Sequence, residues 1–279
     1  MLKALDHVAL VVEDLEAAVS RYEALLGRAP NWRGADGGAA HAWFQLSNMA
    51  LDVIAATGPG YTGDRVKARL DAGGEGIWAL AFTVDDMAKT RHRLERLGVP
   101  STEARPIRAT HPDTGEKRYW TTSVLNPAAA HGTNIFLIEE APWPASPVTG
   151  DEAAAVSGLD HVVINTPNPE RAAAFWGARL GLEMRLDRSN PDWGARLMFF
   201  RCGDTIVEVA HGLKEGVSDG PDAPWGLSWR VEKVEAAHAR MAAAGFDVSE
   251  VRAGRKPGTA VFTVRDAPAK VPTLVIGTA

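Results

Sequence analysis

The sequence is short of several things, and each shortage excludes something. It has one cysteine, Cys202. An intramolecular disulfide, a four-cysteine zinc site and a CxxC redox pair are therefore ruled out. Nothing asks for an oxidising compartment, so a cytoplasmic location is expected. Basic charge is not in excess, with 30 Lys and Arg against 35 Asp and Glu, a net −5. That balance argues against a nucleic-acid partner and against anionic membrane surfaces. Long apolar runs are missing too. The longest, Ile77 to Phe82, covers about six residues, too few for a transmembrane helix. No basic segment followed by an apolar one opens the chain, so no signal peptide is read.

What the sequence does have is a repeat. Its 279 residues, 46% of them apolar, suit about two domains. Leu5-Asp6-His7-Val8 returns 154 residues later as Leu159-Asp160-His161-Val162, and Tyr22 and Gly27 meet Trp176 and Gly181 at the same offset. Ala81 to Asp86 resembles Ser228 to Lys233 at an offset of 147. Four modules result, starting near residues 4, 77, 158 and 225. Each opens with a β-rich strand. Asp14 and Asn168 are placed to cap the first and third helices, with Pro169 at a first helical position. Gly27, Gly98, Gly181 and Gly245 are placed to stop the four helices. Strands are expected at 41–46 and 50–55, 119–123 and 134–138, 195–201 and 205–210, and 261–264 and 273–276. A Pro-, Ala- and Glu-rich stretch containing Pro142, Pro144, Pro147 and Gly150 reads as a linker. The expected division is 1–141, a linker at 142–157, and 158–279. Each half then holds two modules, because one helix on a few strands cannot bury its face unaided.

A strand-helix-three-strand unit that opens with Leu-Asp-His-Val and is used twice per domain resembles the vicinal oxygen chelate superfamily. That family includes glyoxalases, bleomycin-resistance proteins and extradiol dioxygenases. The resemblance spans nearly the whole chain. It implies an α+β fold in which four βαβββ modules form two domains with incomplete mixed-sheet barrels. It says little about the reaction, because one fold hosts many chemistries. It also implies a divalent metal (Fe, Mn, Ni or Zn) in each concavity, acting as a Lewis acid on a substrate with adjacent oxygens. His7 and His161 stand at its first-strand His position, and Asp52 and Glu208 at its carboxylate positions. The remaining positions fall on Ala79, Phe136, Gly226 and Leu274, none of which binds metal. Each sequential domain is thus left with one His and one acid, which disfavours extradiol cleavage. Pairing module one with module three would instead bring His7, Asp52, His161 and Glu208 together as a full shell.

Two functional readings follow. In the first, the chain is a glyoxalase-like lyase, isomerase or epimerase acting on a small molecule. His161 and Glu208 hold its metal, Glu208 moves the proton, and His7 with Asp52 forms a weaker second site. In the second, the chain is a metal-free binding or sequestration protein of the bleomycin-resistance type, taking an aromatic ligand. Nine Trp beside three Tyr support an aromatic ligand. Trp120 and Trp229, both expected in strands, are candidate cleft residues. Arg196 is a candidate for a ligand carboxylate if its strand face is concave. His41 is expected at a strand edge. Gly58, Gly60 and Gly63 are expected to form no phosphate loop, since no helix is read after a strand there. The chain is expected to be a monomer or a homodimer.

Overall fold

The computed structural model describes residues 2–139 and 144–278. Pro142 and the expected 141/142 boundary lie outside the described residues. The chain begins with β1 (Leu2–Val11). Asp14 then accepts a hydrogen bond from the Ala17 amide and so starts α1 (Leu15–Leu26). Gly27, at φ 65°, ends that helix in the left-handed conformation that an L side chain resists. The strands β2 (Trp32–Asp36), β3 (Ala39–Gln45) and β4 (Ala50–Ala56) complete the first module. Next come α2 (Tyr61–Gly73) and the second module, with β5 (Gly76–Val84), α3 (Met87–Arg96), β6 (Arg105–Thr110), β7 (Lys117–Val124) and β8 (Ile135–Glu139).

The second half repeats the plan. It runs β9 (Val156–Asn165), α4 (Pro169–Ala173) continued by a π-helical turn at Ala174–Arg179, β10 (Glu183–Asn190), β11 (Ala195–Cys202) and β12 (Thr205–Gly212). The fourth module is β13 (Ala223–Lys233), α5 (Val234–Ala243), β14 (Arg252–Ala253), β15 (Thr259–Val264) and β16 (Thr273–Thr278).

Two eight-stranded mixed sheets result. The first closes into a barrel in the order β1-β4-β3-β2-β6-β7-β8-β5, and the second stays open as β10-β11-β12-β9-β13-β16-β15-β14. Closure of the first rests on the pair Ala35–Thr110 between β2 and β6. Incompleteness, expected of both halves, therefore holds for the second alone. β1 pairs with β5 and β9 with β13. Modules pair in sequence, one with two and three with four. This corrects the arrangement that would have merged His7, Asp52, His161 and Glu208, because the two pairs sit in different sheets.

Along each strand, alternate residues face opposite ways. Val8 and Leu10 join one large core that includes α1 and reaches into the second half, where Trp176, Met198, Phe200 and Trp229 belong to it. Polar contacts tie the halves as well. Arg240 on α5 donates to the carbonyls of Ala24, Leu25 and Ala154. Arg28 donates to the carbonyls of Val156 and Ser146. The stretch read as a linker is laid along the first half, with the Ser146 amide on the Gln45 carbonyl and the Thr149 amide on the Gly27 carbonyl.

The helix α2 was not expected, and its presence corrects the reading of the glycines before it. Gly58 and Gly60 lie between a strand and a helix after all. They still make no phosphate cradle. The Gly37 carbonyl of the β2–β3 turn already accepts from the Thr62 and Gly63 amides at 3.0 and 2.9 Å. A Cβ on Gly63 would lie 2.3 Å from the Gly38 carbonyl oxygen, so these glycines permit close packing of α2 on the hairpin.

Candidate functional site in the closed barrel

The residues of β1 that do not face the helices, His7 and Ala9, face into the barrel, along with Asp52 and Ile54 of β4. They line a cavity that opens to the surface. A mostly apolar lining with a few polar groups suits a small-molecule site. Its walls are mostly aromatic, with Trp32, Trp43, Trp78, Trp120 and Phe136 all contributing. α2 covers one end. Its Val66 is fully buried against Ala9, Val11, Ile54 and Ala79, while Tyr61, Thr62 and Arg65 face the cavity.

One wall is polar. His41 Nδ1 lies 3.1 Å from both carboxylate oxygens of Asp52, and Nε2 lies 2.8 Å from Asp36 Oδ1. The other Asp36 oxygen accepts from the Thr62 hydroxyl at 3.2 Å. Burial opposes a charge on His41. The two aspartates outweigh it and push the imidazole pKa up to about 10. Burial likewise works against the charge on Asp36, but its bond to His41 and the nearby Arg105 hold it below the usual carboxylate range. His41 is therefore a buried imidazolium between two carboxylates. It is not the edge residue expected from the sequence, because β3 is paired on both sides. His7 is also buried, with Nδ1 2.6 Å from Asp6 and its ring edge-on to Trp43 at 4.8 Å.

The second half has its own pair. His161 Nε2 lies 3.2 Å from Glu208 Oε2 and 2.7 Å from the Ser228 hydroxyl, and Nδ1 lies 2.9 Å from Asp160. Burial raises the Glu208 pKa, partly offset by His161 and Arg255. These groups lie on the sheet face opposite Val207 and Val209, which are fully buried in the core. No helix like α2 follows β12 to cover them.

The donors do not fit a resident metal of the kind the resemblance implies. Among the described residues, no three His, Cys, Asp or Glu groups converge on one point. In the barrel, both Asp52 oxygens are taken by His41, and the facing positions on β5 and β8 carry Ala79 and Phe136. In the open sheet, β13 beside His161 carries Gly226, and β16 beyond it carries Leu274. At the positions the resemblance implies, each half offers two ligands.

The remaining candidates divide. Trp120 lines the barrel cavity. Trp229, expected at a cleft, lies instead in the core with no exposed surface, because it alternates with Ser228 and takes the face toward the helices. Arg196 shares that face with Met198 and Phe200. Its guanidinium is held by Asp187 at 2.7 and 2.9 Å and by Glu170 at 2.5 Å. Asp36, His41, Arg65 and Arg105 were missed in the sequence. The Asp36-Gly37-Gly38 turn and the spacing of His41 and Trp43 were signals that could have put Asp36 at a hairpin and both rings on one face.

The chain belongs to the Glyoxalase/Bleomycin resistance protein/Dioxygenase superfamily, whose family model matches residues 6–116 and 160–262. Human mitochondrial methylmalonyl-CoA epimerase is 32% identical over 110 residues, which is 36% of this chain and 59% of that protein. The ethylmalonyl-CoA/methylmalonyl-CoA epimerase of Cereibacter sphaeroides is 36% identical over 61 residues, 22% of this chain and 46% of that protein. The chain thus spans about half the length of the curated relatives it matches. A 4-hydroxymandelate synthase mutant from Streptomyces coelicolor superposes with TM-score 0.72 at 15% identity, over 99% of this chain and 93% of that one. The Mn(II)-bound glyoxalase of Novosphingobium aromaticivorans gives 0.67 at 15% identity, over 99% and 82%. These likenesses establish the fold. No helix among the described residues is long and apolar enough to cross a membrane.

Proposed function

We propose that the chain is a small-molecule protein whose principal site is the interior of the closed barrel, and that this site takes a flat, largely apolar ligand without a metal. The observation that carries the reading is the combination in one covered cavity of four tryptophans with a carboxylate pair bridged by the His41 imidazolium. Tryptophan faces favour offset or edge-on packing of a ring. The His41 bridge lets two buried carboxylates stay charged beside such a ring, which they could not do alone. Trp120, on β7, is assigned as a ligand contact. The site reads as binding and sequestration.

A second reading keeps chemistry in the open sheet. Glu208, with its raised pKa 3.2 Å from His161, has the form of a proton-transfer carboxylate. Two of the relatives are named as epimerases, a reaction class that moves a proton at carbon. On this reading the substrate lies across β9 and β12, and Glu208 takes or returns the proton.

One titration separates the two. The neutral probe 2-naphthamide is added to the wild type, Trp120→Ala and Glu208→Gln, with tryptophan fluorescence as readout, with and without EDTA. The barrel reading expects a dissociation constant on the order of 0.1 mM or tighter, indifferent to EDTA. It expects a loss of about tenfold in Trp120→Ala and no change in Glu208→Gln. Binding lost in Glu208→Gln and kept in Trp120→Ala favours the open sheet and overturns the barrel reading. So does an absence of binding to the wild type.

A further inference from the structure

We propose that Arg65 and Arg105 form an anion clamp at the mouth of the barrel cavity, so that its ligand is a planar aromatic acid held by its carboxylate between two guanidiniums. The proposal rests on the reading of the barrel interior as the ligand site and adds the chemical class of what enters it.

Two guanidiniums converge there from separate elements. Arg65 comes from α2 and Arg105 from the first residue of β6, and both line the cavity. Each is laid against rings. The Arg105 guanidinium carbon sits 3.8 Å from the centre of the Tyr61 ring. That of Arg65 sits 5.3 Å from Trp78, 5.4 Å from Tyr61 and 5.9 Å from Phe136, and one of its nitrogens donates to the Tyr61 hydroxyl at 3.0 Å. Tyr61 thus positions both cations. Stacking on rings orients a guanidinium while leaving its in-plane N–H groups available to a carboxylate.

The rest of the lining supplies only part of the counter-charge, through the longer-range attraction between Asp36 and Arg105. Among the described residues, neither Arg65 nor Arg105 has a carboxylate within ion-pair distance, whereas Arg196, Arg230, Arg28 and Arg33 all do. The cavity's own carboxylates, Asp36 and Asp52, are bridged by His41. The two cavity carboxylates offset only two of the three cations His41, Arg65 and Arg105, and the remaining positive charge beside an aromatic chamber selects a ligand with a ring and an acid group. Charge-assisted bonds to a forked cation are strong enough to decide between an acid and its neutral analogue.

The test compares 2-naphthoate with 2-naphthamide, which share a ring and differ in charge. Both are titrated into the wild type, Arg65→Gln, Arg105→Gln, the double variant and Trp120→Ala. The wild type is expected to bind the acid about tenfold or more tighter than the amide. The double variant is expected to lose that preference while its affinity for the amide stays within about twofold. Trp120→Ala is expected to weaken both probes. Equal binding of acid and amide by the wild type overturns the clamp and leaves the barrel reading standing, as does a preference that survives in the double variant. Acid binding that ignores Trp120→Ala also overturns the clamp, since the anion is then held elsewhere. Failure of both probes to bind the wild type overturns the clamp and the barrel reading together.

Discussion

Replacing His41 with leucine removes the cation from between two buried carboxylates. Asp52 is 4% exposed, and in the variant neither it nor Asp36 keeps the imidazolium that balances it. Breaking a buried pair in this way costs about 3–5 kcal/mol. The pKa gives a comparable figure. A rise from the ordinary 6.5 to about 10 corresponds to at most about 5 kcal/mol, at about 1.4 kcal/mol per pH unit. The sign follows from the direction. A histidine whose folded pKa lies above its unfolded value contributes fully below about 6.5, and that contribution fades as pH rises toward about 10. About 2 kcal/mol is left at pH 8.5. Urea unfolding of the wild type and His41→Leu at each unit from pH 6 to 10 reads the difference directly. Every other alkaline-titrating group is common to both proteins, so those contributions cancel. The difference should shrink by about 1.4 kcal/mol per pH unit between pH 7 and 10. A difference that stays constant across that window would show that His41 is not an imidazolium and refute the reasoning. At the acid end the direction reverses. Asp36, held low by His41, contributes above about pH 4, and that contribution is lost as pH falls through its folded value.

Burial pushes the Cys202 thiol up to about 12, and its side chain is nearly inaccessible. Iodoacetamide at pH 8 should therefore leave it unmodified until urea unfolds the chain, and prompt labelling of the native protein would contradict its placement. Arg240→Ala should cost about 2–4 kcal/mol in urea unfolding, because it strands carbonyls of α1 and of residue 154 that the guanidinium now satisfies. It should leave 2-naphthamide affinity unchanged, since Arg240 is not among the residues lining the barrel cavity. A cost under about 0.5 kcal/mol would mean the two halves are not coupled through this residue.

The repeat carried the fold in the sequence. Helix caps at Asp14 and Asn168, glycine stops and alternating strands are local signals, and the local physics of caps and left-handed glycines agrees with the tertiary result. What stayed hidden has particular causes. α2 has an interrupted apolar stripe, with Val66 fully buried and glycines at 63 and 73 inside its span, so its periodicity is weak. β2 and β6 are short and hold Gly34 and Pro106, which lower strand propensity. The site followed these omissions. Three of its polar residues, Thr62, Arg65 and Arg105, come from α2 and β6, and Asp36 ends β2. His41 was visible as a residue but not as a partner of Asp52, because that contact depends on the β3–β4 register, which sets Trp43 opposite Asp52 and His41 opposite Ile54.

The contrast between the halves follows from one structural difference. In the second half, β10 exposes both of its faces and β14 is two residues long, so the edges do not meet and the sheet stays open. His161 and Glu208 then sit on a face that no helix covers. In the first half, β2 reaches β6 and α2 lies over the end of the barrel. Enclosure lowers the local dielectric and strengthens every charge interaction inside. A divalent ion at Asp52 would have to displace the imidazolium that both of its oxygens already engage. It would then find Ala79 and Phe136 where further donors are needed. The same closure that builds an aromatic chamber therefore favours a charged histidine over a metal at its polar wall. It also makes the unpaired guanidiniums at the mouth matter more to an entering anion than they would on an open sheet.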